Sequence, residues 1–146
     1  MDKKVILFDI DRTLFDVENY AQQTDEQILS VLSEFDSNLV LEIENEYLNS
    51  LSNPREFVPE DLIDSLCKRL CVNKYSELLE VFFDKKYSYL YTQNVYPEAK
   101  DILKMLSQEY RLGIFSEATL RFQNHKFEMM GLTGFFWERT DIYLVC

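Results

Sequence analysis

Two aspartates and a threonine follow an apolar segment near the start of the chain, and they are spaced two residues apart. They are Asp9, Asp11 and Thr13, and the apolar segment runs from Val5 to Phe8. A short apolar run rich in β-forming residues predicts a strand buried on both faces, as in a parallel sheet. Ligands of such sheets bind beyond the carboxyl ends of the strands, so Asp9 stands at a candidate functional position.

Carboxylates at this spacing suit phosphoryl-transfer chemistry. An aspartate anion that attacks a phosphate dianion needs a cation between the two, which Mg²⁺ bound by oxygen ligands can supply. A carboxylate nucleophile forms an aspartyl-phosphate and divides one difficult step into two easier ones. A second carboxyl group nearby can protonate the leaving group and then activate water.

The segment from Val5 to Leu14 resembles the first motif of the haloacid dehalogenase (HAD)-like hydrolase superfamily, an apolar strand followed by D-x-D-x-T. The resemblance implies that Asp9 is the nucleophile and a magnesium ligand. It also implies that Asp11 is the general acid/base and binds the metal through its backbone carbonyl, while Thr13 helps to order the phosphate-binding loop. Dehalogenases of the superfamily typically replace the second aspartate, so Asp11 favours phosphate chemistry over dehalogenation. Arg12 stands where many members have glycine.

A second strand is predicted from Leu112 to Phe115, and it ends at Ser116 and Glu117. This pattern resembles the second motif of the superfamily, a strand that ends in serine or threonine. By that resemblance, the Ser116 hydroxyl and the next backbone N–H, that of Glu117, would hold the transferring phosphoryl group. The segment Tyr96-Pro97-Glu98-Ala99 resembles the helix entry that precedes this motif in members with a helical cap.

Helical patterns occupy the long segment between the two motifs. Pro59 is predicted to start one helix, and another is predicted from Tyr75 to about Tyr91. After the second motif, a helix from about residue 119 to 130 should end at Gly131, and residues 141–145 form a third strand candidate. We therefore predict an α/β fold: a Rossmann-like parallel-sheet core, incomplete with about three strands, in residues 1–16 and 94–146, and an inserted α-helical cap in residues 17–93.

Charge and composition limit the kinds of molecule that the protein is expected to bind. The 146 residues carry 15 basic and 26 acidic side chains, a formal net charge of −11, which argues against nucleic-acid binding. A phosphate site on such a surface must be locally positive or carry a metal. No segment approaches the length of a membrane span, and Asp9 interrupts the only N-terminal apolar run, so we predict a cytoplasmic protein without a membrane partner. Cys67 and Cys71, four residues apart, are predicted to be small apolar residues on a buried helix face.

The resemblance also implies a lysine of a third motif and acidic residues of a fourth, which normally follow the third strand. The chain ends at Cys146 with that strand, so we expect a C-terminally truncated member. Lys126, on the helix after the second motif, is interpreted as a surface or packing residue, and His125 as structural or exposed. Without the fourth-motif strand, the Val5–Phe8 edge would be unpaired and would favour self-association.

The leading interpretation is a magnesium-dependent phosphatase that acts on a small phosphorylated metabolite through an aspartyl-phosphate. Weak or absent activity is expected of these 146 residues alone, because part of the charge apparatus is not among them. Two alternatives stay open: a non-catalytic HAD-fold fragment or interaction module, and a phosphotransferase or phosphomutase. Specificity residues are expected between residues 17 and 93.

Overall fold

The computed structural model describes residues 2–136 and the backbone of residues 142–145. The chain divides into two compact units. We call Met1–Tyr20 with Tyr91–Cys146 the core unit, and Ala21–Leu90 the helical unit. The boundaries predicted from the sequence, after residues 16 and 93, lie a few residues from these.

The core unit contains a parallel three-stranded sheet with the order β1-β2-β3. Its strands are β1 (Val5–Phe8), β2 (Arg111–Glu117) and β3 (Ile142–Val145). Phe8 pairs with Ile114, and Ile114 pairs with Ile142, so all three strands end at the same edge of the sheet. The α/β class with a parallel sheet is therefore confirmed. Residues 137–141 lie outside the described part of the chain.

Strand β1 is covered on one face only, so the prediction of a strand buried on both faces is wrong. Val5 is 55% exposed and Leu7 50% exposed, whereas Ile6 and Phe8 are half-buried. Strand residues alternate between faces, so Ile6 and Phe8 lie on the better covered face of β1. Strand β1 also lies at the edge of the sheet.

Two helices of the core unit flank β2 in sequence. Helix α6 (Ala99–Glu109) buries Ala99 and Leu103, and helix α7 (Leu120–Met129) follows β2 directly. Gly131 has φ +75°, a left-handed conformation that suits glycine after the end of a helix, as predicted. Helix α6 begins after Pro97, because proline is favoured near the entry of a helix.

Helix α1 (Val17–Val31) begins in the core unit and continues into the helical unit, which also contains α2 (Ser37–Ser50), α3 (Pro59–Leu70) and α4 (Tyr75–Phe83). Asp36 caps α2 by accepting hydrogen bonds from the N–H groups of the next turn, and Pro59 starts α3 as predicted. In the described part of the chain, no helix has both the length and the apolar character needed to span a bilayer.

One continuous helix from Tyr75 to about Tyr91 was predicted, and this is wrong. Helix α4 ends at Phe83, a 3₁₀ turn covers Lys85–Tyr87, and the short helix α5 covers Tyr89–Thr92. The Asp84 carboxylate accepts a hydrogen bond from the N–H of Lys86 at 2.9 Å, which offers the backbone an alternative to continued helix.

The prediction that Cys67 and Cys71 share a buried helix face is also wrong. Cys71 is exposed and ends α3 with φ 51°, in the left-handed region, so it has left the helical repeat. Cys67 is half-buried.

Candidate active site

The loop after β1 is wound around Ile10, which is fully buried. The Ile10 carbonyl accepts hydrogen bonds from the N–H groups of Thr13 at 3.2 Å and Leu14 at 2.9 Å. The Ile10 N–H in turn donates to Asp9 Oδ1 at 2.8 Å. Burying Ile10 turns its neighbours outward: Asp9 is exposed, and the Asp11 side chain is 33% exposed.

Arg12 takes a backbone conformation that explains why glycine suits this position. Its φ is 64°, in the left-handed region, which residues with a Cβ atom adopt reluctantly. The Arg12 guanidinium pairs with Glu18 on the first turn of α1, and both side chains are largely exposed.

The far end of the loop is fixed by the segment that returns from the helical unit. The Asp16 N–H donates to the Asn94 carbonyl at 2.7 Å, and the Tyr96 N–H donates to the Leu14 carbonyl at 3.0 Å. The Asn94 side chain is buried and accepts from Asn19 Nδ2 at 2.7 Å. The loop is therefore held at both ends by backbone hydrogen bonds.

Ser116 lies at the same edge of the sheet as Asp9. Because Phe8 pairs with Ile114, Asp9 is one residue and Ser116 two residues beyond a paired position. Ser116 is 3% exposed, and its Oγ accepts a hydrogen bond from Gln123 Nε2 at 2.8 Å. Glu117 is the last residue of β2 and is exposed.

Lys126 was interpreted as a surface or packing residue, and the structure supports packing. It is 3% exposed. Its Nζ lies 2.8 Å from Asp11 Oδ1, 5.3 Å from the ring centre of Phe15 and 5.2 Å from that of Phe122. A buried ammonium group needs a counter-charge, and aromatic faces add a further attraction. Lys126 thus packs in the core while its charge reaches the loop.

Helix α7 connects the two sequence motifs. Gln123 and Lys126 are three residues apart and lie on one face of the helix, between Phe122 and Phe127, which are also buried. Gln123 contacts Ser116 and Lys126 contacts Asp11. The sequence carried a signal for this: Lys126 is four residues after Phe122, so helical spacing places it on the apolar face.

His125 has a structural environment, in agreement with its interpretation. Its ring meets the Tyr91 ring edge-on, with 5.4 Å between ring centres, and burial lowers the pKa of His125. The Tyr91 hydroxyl lies 2.9 Å from that of Tyr20 in a buried pair, and burial raises the pKa of Tyr91 well above its ordinary value.

A cavity of about 290 Å³ lies beside the loop in the core unit. Thr13 and Leu14 line it together with residues of and before α6, including Tyr96, Ala99 and Leu103. Asp9, Asp11 and Ser116 are not among its lining residues. The two carboxylates and the serine of the candidate site therefore lie outside the lining of this cavity.

The loop offers some of the oxygen ligands that a magnesium ion requires. Asp9 presents an exposed carboxylate, and in the described residues the Asp11 carbonyl accepts no backbone hydrogen bond. The described residues bring no group of three His, Cys, Asp or Glu side chains together. The chemistry of the donor set suits a hard cation that keeps several waters.

A family model described as "Haloacid dehalogenase-like hydrolase" matches residues 6–140. This chain belongs to the haloacid dehalogenase-like hydrolase family. The match spans both motifs and the helical segment between them, so Asp9 and Ser116 lie in one matched region.

Solved structures share the fold at low sequence identity. A haloacid dehalogenase-like hydrolase from Burkholderia xenovorans LB400 has a TM-score of 0.72 and 18% identity, over 99% of this chain and 62% of its own. A 2-haloacid dehalogenase from Pseudomonas syringae has a TM-score of 0.60 and 17% identity, over 99% and 64%. The HAD-hydrolase YfnB from Bacillus subtilis, bound to magnesium, has a TM-score of 0.56 and 18% identity, over 99% and 66%.

These structures establish the fold alone, because all three identities are too low to carry over a function. The chain spans about three fifths of the length of the first structures it matches. No curated protein matched the sequence.

Proposed function

We propose that this chain carries the nucleophile and the general acid/base of a magnesium-dependent phosphatase that acts on a small phosphorylated metabolite. The observation that supports this proposal most is an ion pair next to the exposed Asp9. Asp11, two residues after Asp9, pairs with the buried Lys126. A loop that only terminated a strand would not need a buried cation beneath its second carboxylate.

In the first step, an Asp9 carboxylate oxygen attacks the phosphorus atom and the bond from phosphorus to the ester oxygen breaks. Asp11, in its acid form, donates its proton to the departing oxygen. The products are an alcohol and an aspartyl-phosphate on Asp9.

In the second step, the Asp11 carboxylate takes a proton from water, and the water oxygen attacks the phosphorus atom. The bond between phosphorus and Asp9 breaks, inorganic phosphate leaves, and Asp11 holds a proton again. One cycle therefore consumes one water and restores both aspartates.

Ser116 and the Glu117 N–H would hold the phosphoryl group between these steps. Because Ser116 Oγ accepts a hydrogen bond from Gln123, its own hydroxyl proton stays available for a phosphoryl oxygen. Thr13 orders the loop that carries both aspartates, since its N–H donates to the Ile10 carbonyl.

Magnesium would be held by the Asp9 carboxylate and the Asp11 backbone carbonyl, and would supply positive charge between two anions. The net charge of −11 makes such local positive charge necessary for binding a phosphate ester. The magnesium in the Bacillus subtilis relative supports this choice of cation.

The helical unit would act as the cap that selects the substrate, as in family members with a helical insert. An acceptor other than water would make the same core a phosphotransferase or phosphomutase. Asp11 supports phosphate chemistry over the dehalogenation named for the Pseudomonas syringae relative.

A second candidate function is a non-catalytic interaction module that self-associates through the edge of β1. Val5 and Leu7, each about half exposed at that edge, favour it. Light scattering across a concentration series distinguishes the two candidates: self-association without Asp9-dependent hydrolysis supports the module, whereas a stable monomer counts against it.

The direct test is hydrolysis of para-nitrophenyl phosphate by the 146-residue chain, with magnesium or with a chelator. We expect slow magnesium-dependent release of nitrophenol that falls to the background rate in Asp9→Asn. Asp2→Asn removes an exposed aspartate of the same unit and serves as the control. Hydrolysis that is unchanged in Asp9→Asn contradicts the proposal.

A further inference from the structure

We propose that α7 carries two positioning residues of this reaction: Lys126, which orients the general acid/base Asp11, and Gln123, which orients the phosphoryl-binding Ser116. This inference rests on the proposed function. It concerns residues outside both sequence motifs.

Lys126 is buried more completely than the group it serves. Its side chain is 3% exposed, whereas that of Asp11 is 33% exposed. Removing an ammonium group from water is unfavourable unless other groups compensate for the lost hydration. Within the described residues, the Lys126 ammonium group has Asp11 as its only ion-pair partner and lies over the rings of Phe15 and Phe122. The reciprocal effect is that Asp11 has a fixed cation on one side and solvent on the other.

A purely structural role would not require this arrangement. Apolar residues of similar volume often stabilise a core as well as a buried ion pair does. A carboxylate that must first donate and then accept a proton, at one place relative to Asp9, gains from a rigid partner. The geometry therefore suits orientation of the carboxyl group better than stabilisation of the core.

Gln123 makes the corresponding contact to the other motif. It is 1% exposed, and its Nε2 donates to Ser116 Oγ at 2.8 Å. This bond uses one acceptor position of the hydroxyl and leaves its proton free to be donated to another group. Because Gln123 and Lys126 are one turn apart on α7, a single rigid helix sets the position of Asp11 relative to Ser116.

The leaving group distinguishes positioning of an acid from general damage to the site. A glycerol phosphate ester has a poor leaving group that needs the proton of Asp11, whereas para-nitrophenol leaves readily without one. Lys126→Met keeps the side-chain volume and removes the charge. Lys104→Met removes an exposed lysine from α6 and is the matched control.

We expect Lys126→Met to lower kcat for glycerol phosphate by about 10–100-fold and for para-nitrophenyl phosphate by about threefold or less, with KM little changed. Lys126→Arg should recover part of the lost rate. Asp11→Asn should likewise lower kcat more for glycerol phosphate than for para-nitrophenyl phosphate. The double variant Asp11→Asn/Lys126→Met should be little slower than Asp11→Asn alone, since both substitutions remove the same function. Equal losses on both substrates, or additive losses in the double variant, would overturn the role of Lys126.

Gln123→Met tests the second contact. We expect KM for both substrates to rise by about 3–10-fold with kcat changed less, because phosphoryl binding rather than proton transfer is weakened. Gln108→Met, an exposed position on α6, is the control. An unchanged KM would overturn the role of Gln123.

The same measurements separate this inference from the proposed function. If wild-type hydrolysis depends on Asp9 but Lys126→Met affects both substrates equally, positioning fails and the phosphatase stands. If no hydrolysis depends on Asp9, the phosphatase fails and positioning fails with it. Thermal unfolding of each variant shows whether a loss of rate reflects a loss of folded protein.

Discussion

In the core unit a buried cation meets a carboxylate, whereas in the helical unit two carboxyl groups face one another. Lys126 pairs with Asp11 at 2.8 Å. Glu44 on α2 is 5% exposed, its main neighbouring charge is Asp25 on α1, and its Oε1 has no hydrogen-bond partner among the described residues. Both clusters place ionisable groups out of water, but only the first supplies the opposite charge.

The difference shows how a fold accommodates buried charge. In the Lys126 cluster a basic group lies beside an acidic group, so the opposite charge compensates for burial. The Glu44 cluster removes a charge instead: burial first, and then repulsion from Asp25, raises the pKa of Glu44 to about 8, and burial also raises the pKa of Asp25. Groups of opposite charge therefore lie together beside the candidate active site, whereas two acidic groups lie together in the helical unit.

The largest effect that sharpens this comparison is expected at Glu44. Its folded-state pKa of about 8 lies above the ordinary value of 4.5, so folded protein binds the extra proton and stability falls as pH rises between these values. Glu44→Gln removes this dependence. We expect it to gain on the order of 4 kcal/mol over wild type between pH 5 and pH 9, measured by denaturant unfolding at both values.

The comparison between the two pH values cancels any constant effect of the amide. Glu42→Gln changes an exposed glutamate on the same helix and should keep the wild-type pH dependence. The same pH dependence in both variants would show that Glu44 is not held as the acid.

A smaller loss is expected from Lys126→Met in the core unit. Asp11 would lose its charged partner but, being one-third exposed, would recover part of its solvation from water. We expect a loss of about 1–3 kcal/mol in the free energy of unfolding, while Lys104→Met stays close to wild type. Equal stability of the two variants would break the contrast, because the buried pair would then contribute nothing that an exposed lysine does not.

The smallest effect is expected at Arg12, which is exposed and belongs to neither cluster. Glycine at this position relieves the left-handed backbone at φ 64° but removes the pairing with Glu18. Arg12→Ala removes the same pairing and keeps the Cβ atom. We expect Arg12→Gly to melt about 2–4 °C above Arg12→Ala in calorimetry. The reverse order would show that the left-handed backbone is not strained by a side chain.

The sequence predicted the elements whose signals are local. The alternation of strands and helices identified the parallel sheet, and Gly131 and Pro59 were placed correctly by the chemistry of helix ends. The break after Phe83 was missed, because a single Asp84 cap competes with an otherwise helical pattern. The exposure of Val5 and Leu7 was missed, because a short apolar run does not say how many faces are covered.

Contacts between residues far apart in the sequence limit how much of the candidate site could be predicted. The positions of Asp9 and Ser116 at one edge of the sheet followed from strand ends, which are local. The contact of Lys126 with Asp11 joins residues 115 positions apart. The family motif places its lysine after the third strand, so the motif gave no reason to expect Lys126 beside Asp11, although its helical spacing from Phe122 indicated burial.

The most direct test of the central claim is detection of the phosphoryl group on Asp9. Asp11→Asn should slow the attack of water but not the departure of para-nitrophenol, which needs no acid, so the intermediate should accumulate. After incubation with para-nitrophenyl phosphate and magnesium, acid quenching and proteolysis, mass spectrometry should find one phosphoryl group on the peptide that contains Asp9. It should be absent from the Asp9→Asn/Asp11→Asn protein. A burst of nitrophenol without modification of that peptide, or the same modification in the double variant, would contradict the account.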